Sequence, residues 1–159
     1  MCRAISILKN RINTELLEEY HLQGRTRQRG DGAIEEVVFD FADRQHDPQL
    51  PVIADGRMLV YEWGNRGGRV AKLPKTGWCR EESLKAGKWR WLAPEEIVIP
   101  AQYGFEKGVW FSITEGIRGI AVRDQTGRPH VYMLTREASV YYQNMTKHDR
   151  MPVLIGEQI

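Results

Sequence analysis

Residues 109–134 read VWFSITEGIRGIAVRDQTGRPHVYML, and this stretch decides the class of fold. Val109 to Ile113 and Ile117 to Val122 are short runs rich in β-branched and aromatic side chains, and Asp124-Gln125-Thr126-Gly127 turns the chain back into Val131 to Leu134. Short β-forming runs joined by turn residues predict antiparallel neighbours. The pattern continues upstream in Ile34 to Phe41, in Pro51-Val52-Ile53, and, after the hairpin signal Asp55-Gly56, in Met58 to Trp63. Ile97-Val98-Ile99-Pro100 is a buried-type run, Trp78 to Trp91 is amphipathic and fits helix or strand, and Val153-Leu154-Ile155 is expected as the last strand.

Helix is sparse. Thr14 to Gln23 is the clear helical run, with Asn13 as N-cap, Glu15 in the first turn, Leu16, Leu17 and Tyr20 on one face, and Gly24 as the stop. A short helix or turn is expected around Ala138 to Met145. Arg25 to Gly32 reads as a basic surface loop or hairpin, Gly64 to Gly77 as a long exposed loop, and residues 101–106 as a turn-prone link carrying Glu106. The chain has no internal repeat or low-complexity segment, so residues 1–159 are expected to form one domain. Its class is α+β, mainly antiparallel, a curved β-sandwich or open barrel with a few short helices.

Composition narrows the function. With 42% apolar and 28% charged residues in 159, the chain is far from disordered composition. No apolar stretch approaches the roughly 18 residues that a membrane span needs. The N-terminus MCRAISILKNR has no signal-peptide pattern, and Cys2 and Cys79 make neither a disulfide framework nor a metal-ligand spacing. A soluble cytoplasmic protein without metal or cofactor is expected. The charge is uneven: residues 57–91 hold nine basic against three acidic side chains and four of the five tryptophans, Trp63, Trp78, Trp89 and Trp91. Basic side chains interleaved with aromatics suit single-stranded nucleic acid, and equally describe a solvated basic face over a tryptophan-containing core.

Three residues carry candidate chemistry. Cys2 follows the initiator methionine, whose removal would leave an α-amine and a thiol on adjacent carbons. Such a 1,2-aminothiol condenses with an aldehyde to an imine and closes to a thiazolidine, or attacks an acyl carbon. Arg3 beside it favours thiolate and can hold a phosphate. His148 lies in the polar knot Lys147-His148-Asp149-Arg150-Met151-Pro152, and Glu106 is a carboxylate in apolar surroundings that suit proton transfer. Spacing alone does not bring the three together.

These residues also resemble a family, the SOS-response-associated peptidases or SRAP domains. The likeness lies in Met1-Cys2-Arg3, in Trp63-Gly64 after a hairpin, in Pro100-Ala101 followed by Glu106, and in Thr135 followed by His148-Asp149-Arg150-Met151-Pro152. Trp78-Cys79-Arg80-Glu81-Glu82-Ser83 resembles the family's Asn-Ala-Arg-x-Glu-Thr. The resemblance implies a DNA-damage protein that binds single-stranded DNA and crosslinks abasic sites covalently. It makes Cys2 the nucleophile, Glu106 and His148 the proton-transfer groups, and Arg3, Arg80, Trp78 and Arg150 the DNA-binding set. It further implies a monomer associated with the nucleoid. Departures from the family pattern are Trp78 for asparagine, with Asn65 as a candidate replacement, Lys107 for the tryptophan after Glu106, and Arg69 and Val70 near the usual paired aromatics. The chain also stops at Ile159, so a short, divergent domain without the usual C-terminal extension is expected. Two other functions stay open: a nucleic-acid-binding module without covalent chemistry, and a cysteine-type (auto)peptidase.

Overall fold

The computed structural model describes residues 1–29 and 34–156. The chain begins with a strand that the sequence pattern does not mark. β1 (Ala4–Leu8) has Ala4 to Ile7 buried, so it lacks the polar alternation of a half-buried strand. It lies at the centre of a five-stranded sheet in the order β2-β3-β1-β8-β9, with β2 (Thr26–Arg29), β3 (Ile34–Asp40), β8 (Tyr103–Glu106) and β9 (Val109–Ser112). Every pairing in this sheet is antiparallel. Residues 101–106, read as a turn-prone link, therefore contain a strand, and the β-register places Glu106 opposite Val109. Part of the Arg25–Gly32 stretch, expected as a surface loop or hairpin, lies outside the described residues.

One face of this sheet packs into the core through Ile5, Ile7, Val37, Phe39 and Phe111. The opposite face carries Arg27 and Arg29 stacked over Trp110 and Tyr103, the closest at 3.7 Å from guanidinium carbon to ring centroid. Glu36 on β3 is fully buried there, held by Arg29 at 2.5 and 3.0 Å. A buried carboxylate persists because it is paired in this way.

The second sheet curls into a closed barrel. Its circuit runs through β10 (Ile117–Arg123), β7 (Glu95–Ile99), β4 (Gln49–Ala54), β5 (Arg57–Trp63) and β11 (Pro129–Glu137), and returns to β10. The curved antiparallel architecture matches the sequence expectation. The closure, however, depends on a parallel pair, Glu62 and Trp63 of β5 against His130 and Val131 of β11. The nine-residue β11 also pairs with β6 (Trp78–Arg80) and β12 (Arg150–Pro152), so it joins four strands. A smaller core of Leu73, Cys79, Ile120, Val122, Tyr132, Leu134 and Val153 packs with Trp89.

Local signals explain the turns. Asp55 and Gly56 both have positive φ, 51° and 75°, the conformation a tight two-residue hairpin requires. Asn13 Oδ1 accepts from the Leu16 amide at 2.8 Å, as expected of the N-cap, but α1 (Thr14–Glu19) ends before Gln23. His21 takes φ 54°, and a 3₁₀ turn at Leu22–Arg25 brings the fully buried Leu22 inward, which a continued helix would not. Trp78 to Trp91 resolves into β6, α2 (Glu81–Lys85) and a 3₁₀ turn at Arg90–Leu92. The helix expected near 138–145 is α3 (Val140–Thr146). Among the described residues the last strand is β12 rather than Val153–Ile155. Leu154 makes only an isolated bridge with Ile117.

The 64–77 loop is anchored rather than free. The Gly64 amide donates to Val131 O at 2.8 Å, and the Trp63 indole and the Met133 amide both donate to Gly77 O. Gly64 has φ 62° and lies so close to Thr76 that an added Cβ would sit 2.1 Å from its carbonyl oxygen. Glycine is required there on both grounds. No helix among the described residues is long and apolar enough to cross a membrane.

Candidate active site

The fold brings positions 2, 106 and 148 to one place at the start of β1. Cys2 is fixed from both sides: the next amide, Arg3 N–H, donates to Phe105 O at 2.9 Å, and Phe41 N–H donates to Arg3 O at 3.0 Å. Its thiol is fully buried and donates to Ala4 O at 3.1 Å. Burial pushes this thiol up to about 12, and the nearby Glu106 charge adds to the effect. Sγ has room because position 104 is glycine: a Cβ there would lie 3.0 Å from Sγ and 2.5 Å from the Phe111 ring.

Glu106 ends β8 with only 4% exposure. Its Oε1 accepts from the Met1 α-ammonium at 2.9 Å and lies 3.8 Å from His148 Nε2. Despite this carboxylate, desolvation lowers the α-amine below its usual value, with the Lys107 charge contributing.

His148 reaches the carboxylate because Lys147, at φ 61°, turns the chain sharply after α3. Lys107 Nζ donates to Lys147 O at 3.0 Å and ties this turn to the β8–β9 turn. His148 Nδ1 lies 3.0 Å from the Arg150 amide and 3.2 Å from the Arg150 carbonyl oxygen, and Nε2 faces Glu106. The Met1 amine, the Cys2 thiol, the Glu106 carboxylate and the His148 imidazole thus lie together at the start of β1. Among the described residues no group of His, Cys, Asp and Glu side chains could hold a metal ion.

The DNA-binding candidates lie in different surroundings. Trp78 is half-buried, stacked edge-on against Phe41 and Trp63, and its indole Nε1 donates to Cys2 O at 3.2 Å. The side-chain hydrogen bond to the Cys2 carbonyl is made here by an indole rather than by an amide. Asn65 does not replace it: that side chain is buried in the 64–77 loop, bonded to Val70 N, Val70 O and Leu73 O. Arg3 is exposed, 5.0 Å over the Phe105 ring and 3.3 Å from Asp40. Arg80 is exposed at the start of α2. Arg150 is engaged internally, donating to both Glu82 oxygens, to Thr135 O and to Thr135 Oγ1. Of the four tryptophans in the basic segment, Trp63 is core, Trp89 packs on Tyr132, Trp78 holds Cys2, and Trp91 is 63% exposed. Gly104 and the Met1 amine were not singled out by sequence reasoning. The Gly at the centre of a buried-type Tyr103-Gly104-Phe105 run was the available signal.

A mainly antiparallel α+β protein, with a curved sheet joined to a closed five-stranded barrel, is the class this fold defines. No family model matches the sequence, and no curated protein does. Two crystal structures share the fold: a protein from Bacteroides thetaiotaomicron at TM-score 0.65 and 14% identity, covering 98% of this chain and 78% of that one, and a protein from Bordetella bronchiseptica at TM-score 0.56 and 17% identity, covering 98% and 84%. At these identities the likeness concerns the fold alone.

Proposed function

We propose that the protein captures abasic sites in single-stranded DNA, with Cys2 as the N-terminal residue after Met1 is removed. The observation that carries this reading is the convergence of Glu106 and His148 on the Met1 α-amine, one residue from the buried Cys2 thiol, so that removal of Met1 would leave the Cys2 amine as the chain terminus beside them. The amine attacks the ring-opened aldehyde to give an imine and one water, and the thiol then adds across the C=N bond, its proton ending on nitrogen. Glu106 and His148 relay the protons. Trp78 holds the Cys2 carbonyl and so fixes the backbone from which both nucleophiles project. Arg3 and Arg80, both exposed, are the phosphate contacts, whereas Arg150 supports the fold beneath them.

The test is incubation of protein shown by intact mass to lack Met1 with an abasic-site oligonucleotide. A denaturation-resistant adduct that disappears in Cys2→Ala is the expected result. No adduct from the processed protein would end the proposal. One observation favours a second reading, a nucleic-acid-binding module without covalent chemistry: with Met1 in place the thiol is wholly buried and protonated. That reading expects salt-sensitive single-strand binding unchanged in Cys2→Ala and His148→Ala.

A further inference from the structure

The first sheet curls until its two edges meet across one face. In hydrogen-bonded order β2 and β9 stand at opposite ends, yet Arg27 of β2 lies 4.4 Å over the Trp110 ring of β9. Arg29 stacks 3.7 Å over Tyr103 of β8, and Arg3 lies 5.0 Å over Phe105. Strand alternation puts Arg27, Arg29, Glu36, Tyr103, Phe105 and Trp110 on the face turned away from the core. Each of the three rings there carries a guanidinium, and Phe105 and Trp110 meet at 5.0 Å between centroids.

These guanidiniums are held from beneath. Buried Glu36 accepts from Arg29 Nε and Nη2 and lies 4.0 Å from Arg27 Nε, so one carboxylate orients two cations and a positive charge is left over. Arg29 Nη1 and both Nη atoms of Arg27 make no hydrogen bond among the described residues, and both side chains are partly exposed. Arg3 gives one Nη to Asp40 and is otherwise open to solvent. The basic segment 57–91 has no equivalent: of its four tryptophans only Trp91 is mostly exposed, and among the described residues none bears a guanidinium. Bases of a single strand stack on aromatic rings and on guanidinium planes, and the phosphates between them accept from free N–H groups. An arginine already fixed by a ring and a carboxylate loses less freedom when it does so.

We infer that this face of the first sheet binds single-stranded DNA, with Arg27 and Arg29 stacking on bases and contacting phosphates of the strand that leaves Cys2 over Arg3. The face is continuous with the candidate active site: Arg3 follows Cys2, Phe105 precedes Glu106, and the Arg3 amide donates to Phe105 O at 2.9 Å. The inference rests on the proposed capture of abasic DNA and gives the undamaged nucleotides beside the captured one a place to lie.

The experiment follows binding of a fluorescent, undamaged oligothymidine by anisotropy across a salt series. It compares wild type, Arg27→Gln, Arg27→Lys and Arg118→Gln, the last removing an exposed charge on β10 of the barrel. In Arg27→Gln the Kd should rise about tenfold, as for loss of one stacked base. The slope of log K against log salt should shrink by about 0.7, one phosphate on a single strand. Arg27→Lys keeps the charge without the plane, so its slope should match wild type while its affinity falls. Arg118→Gln should bind as wild type does. Arg27→Gln leaves the Arg29–Glu36 pair in place, and circular dichroism checks its fold; if it is unfolded, Arg27→Lys carries the test. Wild-type affinity in both Arg27 variants, an equal loss in Arg118→Gln, or no binding by wild type would each overturn the inference. Polyglutamate competing as well as unlabelled oligothymidine would assign the face to an acidic protein partner and overturn it too. Adduct formation with an abasic-site oligonucleotide, by the same proteins freed of Met1, reads capture separately. With adduct formed and Arg27 without effect, this inference alone fails; with no adduct and Arg27-dependent binding, the capture reading fails and the binding face stands.

Discussion

Replacing Trp78 with phenylalanine separates the hydrogen bond to Cys2 from the aromatic packing around it. The variant keeps a ring against Phe41 and Trp63 but removes the N–H that donates to Cys2 O at 3.2 Å. A buried carbonyl left unpaired costs about 1–3 kcal/mol. The smaller ring weakens two edge-on contacts, worth about 0.5–1.5 kcal/mol each beyond their buried area. Together these come to at most about 2–6 kcal/mol, which for a chain of this size lowers Tm by about 4–24 °C. The loss falls on the segment that encloses the thiol, so Cys2 should also become open to alkylation. Thermal unfolding and iodoacetamide labelling read by peptide mass measure the two effects on one sample. A Tm within a degree of wild type, with Cys2 still unlabelled, would show that the indole bond does not hold the N-terminus and would refute this reasoning.

Further substitutions and one pH titration probe the same architecture. Gly104→Ala places a methyl 2.5 Å from Phe111 and 3.0 Å from Cys2 Sγ. Denaturant unfolding should show a loss of about 1–3 kcal/mol from this overpacking. Arg150→Ala strips the donors from Thr135 O and Thr135 Oγ1 at the β11–β12 junction and should cost about 2–4 kcal/mol by the same assay. Glu82→Gln, which touches the exposed end of the same pair, should cost under about 1 kcal/mol. Both thiols are pushed up from 9.0 to about 12 by burial, so the folded state favours their protonated forms. Their contribution to stability is complete below pH 9 and fades as pH rises towards 12. The denaturation midpoint should therefore fall across that window, and fall less steeply in Cys79→Ala. Equal slopes in the two proteins would contradict the assignment.

Features written in a few adjacent residues were legible in the sequence. The Asn13 cap, the Asp55-Gly56 hairpin and the Asp124–Gly127 turn each carry their own backbone chemistry, and each occurs where the residues place it. β1 was not legible, because a short strand buried on both sides shows no alternation. The β5–β11 parallel pair that closes the barrel has no local signature either. The site divides along the same line. Cys2 was visible from its place beside Met1, and Glu106 and His148 from residue chemistry and resemblance. That Glu106 and His148 face one another follows from pairings between distant strands. Trp78 was singled out as one of the DNA-binding set, and the structure shows its indole donating to the backbone of Cys2. Asn65, with the right chemistry to serve there, is committed to its own loop.

The closing pair also sets an order of events as the chain is made. β4 and β5 join through their own tight turn and can pair as soon as Trp63 exists, but the partner of Glu62 is His130, 68 positions later. At about 5–20 residues per second of synthesis, the outer edge of β5 waits about 3–14 s for its neighbour. Through that interval Leu59, Tyr61 and Trp63 belong to an open hairpin, the kind of edge on which other chains add strands. The yield of this protein is then governed by how quickly residues 64–137 follow, and slowing elongation within them should divert nascent chains into aggregates although the finished molecule is unchanged.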